Sequence, residues 1–182
     1  MLDDFVTACR QAAALGDANA AVRTLLSELV ANPQQLAKQI PAPTPDDCGL
    51  CGFDNTLFED HDVTIIVVHS RPGVVQPPHG HSMPAFIGVY QGAEAQRFFR
   101  RGTTTGDMLV ETPGQTIQSG EVLSLGSAAI HAISTADDRW ARAVHVYLGP
   151  LSSVDRSLYN PATSQPEPMT AKRYDELAIA TP

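Results

Sequence analysis

Residues 73–92, GVVQPPHGHSMPAFIGVYQG, place His79 and His81 two positions apart in a stretch that we interpret as extended. Because side chains alternate between the two faces of a strand, these two imidazoles point the same way and can bind one ion. A third ligand is expected from elsewhere, and His131, within residues 120–135, GEVLSLGSAAIHAIST, lies in a second strand-turn-strand pattern. The three histidines predict a metal site with coordination positions left open.

The spacing of the first stretch resembles the first motif of the cupins, which reads Gly, five residues, His-x-His, three or four residues, Glu, six residues, Gly. Gly73, His79, His81 and Gly92 match this motif, and Ala85 stands in place of the Glu. The resemblance implies a metal-binding barrel.

The second stretch resembles the second cupin motif, Gly, five residues, Pro-x-Gly, two residues, His. Gly120 and His131 match in spacing, while Gly126 and Ala128 replace the Pro and Gly, and Thr135 replaces a closing Asn. The two motifs in this order imply the cupin double-stranded β-helix, a small barrel or jelly roll.

The missing glutamate makes the chain similar to thiol dioxygenases of the cysteine dioxygenase type, which bind Fe(II) by three histidines. Those enzymes also carry Ser-x-His-x-Tyr as an acid/base and hydrogen-bond relay, and His145 and Tyr147 match it, with Ala143 in place of the Ser. The whole chain resembles uncharacterised bacterial cysteine-dioxygenase-like cupins. The resemblance implies a mononuclear Fe(II) enzyme with O2 as co-substrate and with His145 and Tyr147 as catalytic residues.

The substrate is less defined. Cysteine dioxygenases hold the substrate carboxylate with an early arginine, and the sequence has none between Cys48 and His69, so we expect a small thiol other than cysteine, oxidised to a sulfinate. Arg97 is a candidate substitute if its side chain points into the barrel. The alternatives are a three-histidine dioxygenase that cleaves a C–C bond in a diketone or hydroxyketone, and a metal-dependent ligand-binding module without turnover. Zn(II) and Ni(II) also accept three imidazoles.

Apolar periodicity predicts helices over 2–15, 18–31 and 34–40, which we interpret as a helical cover on residues 1–45. The Pro41-Ala-Pro43-Thr-Pro45 segment predicts a boundary. Beyond it, short β runs separated by turn residues predict an all-β barrel over residues 46–150, followed by a C-terminal tail over residues 151–182 with one short helix near 171–178. The predicted strands are 63–69, 85–90, 97–101, 108–111, 116–118, 122–125, 129–134 and 141–148.

Composition restricts the class of partner. The chain has 182 residues, 43% hydrophobic and 18% charged, with a formal net charge of -8, which disfavours nucleic-acid binding. No apolar run reaches the length of a membrane span, and the acidic start differs from a signal peptide, so we expect a cytoplasmic protein. Three cysteines, with Cys48 and Cys51 as a C-x-x-C pair, fit a reducing compartment. The expected partner is a small-molecule substrate, with a homodimer left open.

Overall fold

The computed structural model describes residues 1–14, 17–102 and 108–181. Its helices are α1 (Leu2–Ala13), α2 (Ala18–Val30), α3 (Pro33–Gln39) and α4 (Ala171–Leu177). Its strands are β1 (Gly52–Glu59), β2 (Thr64–Ser70), β3 (Val74–Val75), β4 (His79–Gly80), β5 (Ala85–Gln91), β6 (Ala93–Arg101), β7 (Leu109–Gln118), β8 (Val122–Leu125), β9 (Ile130–Thr135), β10 (Ala141–Tyr147), β11 (Ser157–Tyr159), β12 (Pro166–Pro168) and β13 (Ile179–Ala180). A short 3-10 turn covers Pro45–Asp47.

Two antiparallel sheets form the barrel. One has the order β1-β2-β10-β5-β8 and the other the order β12-β11-β4-β9-β6-β7. From β4 to β10 the chain crosses repeatedly between them, so that neighbours such as β4 and β9, or β5 and β10, are distant in sequence, as in a jelly roll. The predicted fold class, an all-β double-stranded β-helix with N-terminal helices, is confirmed. No helix in the described part of the chain is long and apolar enough to cross a membrane.

The three N-terminal helices cover the outer face of the five-stranded sheet. Leu26 and Val30 of α2 are fully buried and join Val144 and Val146 of β10 in one apolar cluster. Gly88 lies beneath α2, where a Cβ atom would stand 2.8 Å from side-chain atoms of both Leu26 and Val30. A residue without a side chain therefore allows the helix to approach the sheet closely. The predicted end of the first helix at Leu15 lies outside the described residues.

The segments predicted as two strands, 108–111 and 116–118, form the single strand β7, so this prediction was wrong. Pro113 and Gly114 suggested a turn, but β7 is the outermost strand of its sheet, where proline is tolerated. Gln96 pairs with Gln115 and Phe98 with Thr112, so Pro113 and Gly114 together oppose Arg97. This two-against-one arrangement is a β-bulge, and it lets the strand continue through both residues.

The sequence analysis missed β1 and the short strands near both ends of the barrel. β1 carries Asp54 and Asn55, which disfavour strands, yet it pairs with β2 along its length at the edge of the sheet. The region after residue 150 also contains β11, β12 and β13, and β13 pairs with β3. The division of the chain at residues 45 and 150 stays a prediction.

Candidate metal centre

Backbone pairing brings two of the three predicted ligands together. His79 in β4 lies directly opposite His131 in β9, so their side chains share one face of the sheet. His81 follows β4 and turns its ring toward both, with its Nε2 atom 3.3 Å from Nε2 of His131. One ligand atom from each histidine lies within 4.8 Å of the others, and all three residues are buried. The structure therefore brings together the three histidines selected from sequence, while their binding of a metal stays a prediction.

Hydrogen bonds on the far side of two rings prepare them as ligands. Nδ1 of His79 lies 3.0 Å from the carbonyl oxygen of Pro77, and Nδ1 of His131 lies 2.7 Å from Oε1 of Gln96. Both partners are acceptors, so each Nδ1 carries the proton and donates it. Each Nε2 atom then keeps a lone pair, which is the form that binds a metal.

The electrostatics of the cluster also fit a divalent ion. Burial lowers the pKa of His79 to about 4, and burial followed by the neighbouring histidines lowers the pKa values of His81 and His131 well below the ordinary value. The rings are therefore neutral at physiological pH, as metal binding requires. No carboxylate of the described residues belongs to the group formed by His79, His81 and His131. Ala85, which replaces the motif glutamate, pairs across the sheet with Tyr147.

His145 and Tyr147 lie on the inward face of β10 and line the same cavity as His79 and His81. The Tyr147 hydroxyl is 3.0 Å from Nδ1 of His145, and the Tyr147 ring centroid is 5.0 Å from that of His81. Burial lowers the pKa of His145 to about 3 and raises that of Tyr147 above its ordinary value. Nε2 of His145 is buried and has no hydrogen-bond partner in the described part of the chain. The pair is placed beside the cluster, and its catalytic role stays a prediction.

A buried pair on β6 supports His131 from behind. The amide of Gln96 accepts from His131 through Oε1 and donates through Nε2 to Oε2 of Glu94, at 3.0 Å. Glu94 is fully buried, and burial raises its pKa to about 7, against the lowering effect of hydrogen bonds from Gln96 and Ser70. The sequence analysis did not select either residue. The available signal was their alternate spacing, which places both polar side chains on one face of the strand.

The cavity in front of the histidines has a volume of about 470 Å³. Its wall includes Arg156, which comes from the segment after the barrel. The guanidinium of Arg156 has no hydrogen-bond or ion-pair partner among the described residues. Its charge contributes to lowering the pKa values of His79 and His81, after the larger effect of burial, and it opposes the rise that burial causes in the pKa of Asp54, another residue of the cavity wall. The sequence analysis missed Arg156 because nothing in its neighbourhood resembles a motif.

Arg97, the substitute considered from sequence, does not enter the cavity. Its side chain is exposed on the outer face of β6 and forms a double ion pair with Glu111 at 2.8 and 2.6 Å. The sequence has no arginine between residues 48 and 69, but the cavity still contains a cation, because Arg156 lines its wall.

Two other candidates have ordinary structural explanations. His69 lies outside the three-histidine group and hydrogen-bonds the hydroxyl of Tyr90 at 2.7 Å. All three cysteines are free thiols. Cys48 donates to the carbonyl oxygen of Thr44, and burial raises the pKa of Cys51 above its ordinary value, so its thiol stays protonated.

No protein-family model matches this sequence, and no curated protein sequence is significantly similar to it. Solved structures do resemble it. A conserved protein from Klebsiella pneumoniae described as having a double-stranded beta-helix domain is 14% identical, with a TM-score of 0.44, over 64% of this chain and 89% of that one. A conserved protein of unknown function from Streptococcus pyogenes is 15% identical, with a TM-score of 0.46, over 63% and 84%.

An oxalate decarboxylase from Lactobacillus farciminis, in complex with formate, is 17% identical, with a TM-score of 0.46. The match covers 61% of this chain but only 35% of the decarboxylase, so this chain spans about a third of that enzyme. Similarity at this level assigns no activity to this chain.

Proposed function

We propose that this protein is a mononuclear non-haem Fe(II) dioxygenase that oxidises a small acidic thiol to a sulfinate with O2. The observation that carries the proposal is the buried group of His79, His81 and His131, which has three neutral ligands and no carboxylate, facing a cavity lined by His145 and Tyr147. With no anionic protein ligand, the charge of a divalent ion is left for an anionic substrate group to balance.

The three histidines would hold Fe(II), and a metal ion at this position would deprotonate a thiol and offer open positions to substrate and O2. The other residues of the cavity act on the substrate itself. Tyr147 keeps its proton because burial raises its pKa, and its hydroxyl lies 3.0 Å from Nδ1 of His145. When that hydroxyl donates to Nδ1, Nε2 of His145 carries the ring proton, and this atom has no partner among the described residues. In that tautomer Nε2 would donate to an oxygen of the bound substrate or product.

Arg156 supports the acidic part of the substrate. A guanidinium that lines a cavity of about 470 Å³ and has no hydrogen-bond or ion-pair partner among the described residues is suited to bind a carboxylate through two parallel hydrogen bonds. A thiol that carries a carboxylate a few bonds from its sulfur could therefore reach both the histidines and Arg156. From sequence we disfavoured cysteine because no arginine between residues 48 and 69 could bind its carboxylate. Arg156 could bind that carboxylate, so cysteine is a candidate substrate.

The reaction needs no further reductant. A thiol and O2 combine to a sulfinate and one proton: the sulfur loses four electrons, and O2 gains four as both of its atoms form bonds to sulfur. The expected stoichiometry is therefore one O2 consumed per sulfinate formed.

The test is oxygen uptake by the Fe(II)-loaded protein, with sulfinate measured by mass spectrometry. Cysteine and 3-mercaptopropionate carry a carboxylate, cysteamine is the matched thiol without one, and a diketone represents the alternative C–C cleaving enzymes. We expect turnover of at least one carboxylate thiol, little turnover of cysteamine, and a rise in KM for carboxylate thiols in Arg156→Gln.

Turnover of the diketone alone would contradict the proposal and favour C–C cleavage. Binding of these compounds without oxygen uptake by any of them would contradict it in favour of a ligand-binding module.

A further inference from the structure

The C-terminal segment, defined here as residues 169–181, forms part of the cavity wall. Met169, Thr170, Ala171 and Tyr174 line the cavity together with His79 and His81. Tyr174 is on α4, and its ring centroid lies 5.3 Å from that of His79 in an edge-on arrangement. A segment that sequence analysis treated as a tail therefore contacts a candidate metal ligand directly.

The hydroxyl of Tyr174 is held in a defined direction. It donates to Oε1 of Gln76 at 2.7 Å, and its oxygen lies 3.4 Å from Nδ1 of His79. Burial raises the pKa of Tyr174 well above its ordinary value, so the hydroxyl keeps its proton and uses it toward Gln76. The lone pairs of the phenol oxygen are then available to the Nδ1 proton of His79, which the Pro77 carbonyl oxygen also accepts at 3.0 Å.

The orientation of Gln76 depends in turn on residues behind the cluster. Its Nε2 atom donates to Oγ of Ser70 at 3.2 Å, which leaves Oε1 turned toward Tyr174. Hydrogen bonds thus lead from Tyr174 through Gln76 to Ser70, behind the histidines.

The C-terminal segment is attached at points other than Tyr174. The Asp175 carboxylate accepts from the backbone N–H groups of Leu50 and Cys51, β13 pairs with β3, and the N–H of Thr181 donates to the carbonyl oxygen of Gly73. Removing only the Tyr174 hydroxyl should leave these attachments in place. The effect of the hydroxyl on His79 can therefore be separated from the docking of the segment.

We propose that Tyr174 is a positioning residue for His79, and that metal binding at the three histidines and docking of the C-terminal segment stabilise each other. The phenol oxygen favours the tautomer of His79 with the proton on Nδ1, which keeps the Nε2 lone pair directed at the cluster. By thermodynamic linkage, an ion that favours this arrangement of His79 also favours the docked segment by the same factor. The inference rests on the proposed three-histidine metal site, and not on which reaction occurs there.

The experiment uses the full chain with Co(II) and Zn(II) as probes. Tyr174→Phe retains the ring and removes the hydroxyl, and Tyr159→Phe is the matched control because its hydroxyl contacts Arg101 instead. We expect Tyr174→Phe to weaken Co(II) binding about 10-fold, which is the lower end of the effect of losing an outer hydrogen-bond partner. The visible absorption of bound Co(II) should also shift in Tyr174→Phe. Tyr159→Phe should match the wild type in both measurements. Zn(II) should slow amide exchange in residues 169–181 of the wild type more than of Tyr174→Phe.

The Nδ1–H proton resonance of His79 in the metal-free protein gives a second measurement. It should shift in Tyr174→Phe and stay in place in Tyr159→Phe. Equal Co(II) affinity and spectra in Tyr174→Phe and wild type would overturn the inference whatever the activity. Failure of all thiols as substrates with the Co(II) difference intact would instead overturn the proposed function alone. A wild type that binds neither ion would overturn both.

Discussion

The two faces of the five-stranded sheet use the same strands for different purposes. On β10, Val144 and Val146 face outward and are fully buried against the N-terminal helices. The alternate residues His145 and Tyr147 face the interior of the barrel and line the cavity. The outer face is apolar, and its stability depends on close packing, whereas the cavity end of the interior holds buried polar groups that depend on specific hydrogen bonds. The comparison implies that stability and metal chemistry can be altered separately.

The largest expected effect is on the interior. His131→Ala removes one of three ligands and should lower metal affinity by more than the roughly 10- to 100-fold typical of losing an outer hydrogen-bond partner. Metal content of the purified protein, measured by atomic emission, checks this, with Tyr159→Phe as the control because its hydroxyl contacts Arg101 and not the histidines. Full metal content in His131→Ala, together with loss of metal in His69→Ala or His145→Ala, would make the ligand assignment wrong.

On the outer face, Leu26→Ala should lower the free energy of unfolding by about 2 to 5 kcal/mol, because it leaves a cavity beneath α2 where Leu26 is fully buried. Urea denaturation measures the change, and the partly buried Leu25→Ala should cost less. Metal bound per folded molecule should equal that of the wild type. A parallel loss of metal affinity in Leu26→Ala would mean that the two faces are energetically coupled.

Glu94 should make the stability of the metal-free protein depend on pH. The unfolded carboxyl ionises near pH 4.5, whereas the folded one stays protonated to about pH 7. Between these values only the unfolded chain loses its proton at this group, so the contribution of Glu94 to the free energy of unfolding falls as pH rises, by about 3 kcal/mol in total. The stabilising effect is complete below pH 4.5 and lost above about pH 7. The buried histidines, whose pKa values are lowered, add stability as pH rises over the same range, so the prediction concerns the difference between two proteins. Urea denaturation should show that Glu94→Gln becomes more stable relative to the wild type as pH rises from 4.5 to 7, and equal slopes would contradict the prediction.

The smallest expected effect concerns the exposed ion pair on β6. Arg97→Gln should change the free energy of unfolding by less than about 1 kcal/mol, because the pair with Glu111 is solvated. It should also leave the KM for an acidic thiol unchanged, unlike Arg156→Gln. A rise in KM for Arg97→Gln in the oxygen-uptake assay would show that the outward orientation of Arg97 does not persist in solution.

The parts that could be predicted from sequence are those with a local pattern. Glycine and histidine spacing located the cluster, and alternation placed His145 and Tyr147 on one face of a strand. β1 could not be found because an edge strand buries little, so its sequence carries few of the apolar residues that mark a strand. Arg156 and Tyr174 could not be found because they reach the cavity from a segment whose path depends on long-range contacts with β3, β4 and the loop before β1.

The bulge on β7 has a consequence for self-association. An outermost strand presents a row of N–H and C=O groups to which the strand of another molecule can add, and this is a common route to aggregation. In β7 the row is interrupted at its middle by Pro113, which has no N–H, and by the bulge at Pro113 and Gly114, which breaks the regular alternation. Gly114 is needed in this bulge because a Cβ there would lie 2.3 Å from the carbonyl oxygen of Gln96. We therefore expect a homodimer of this chain, if it forms, to use a different surface from this edge.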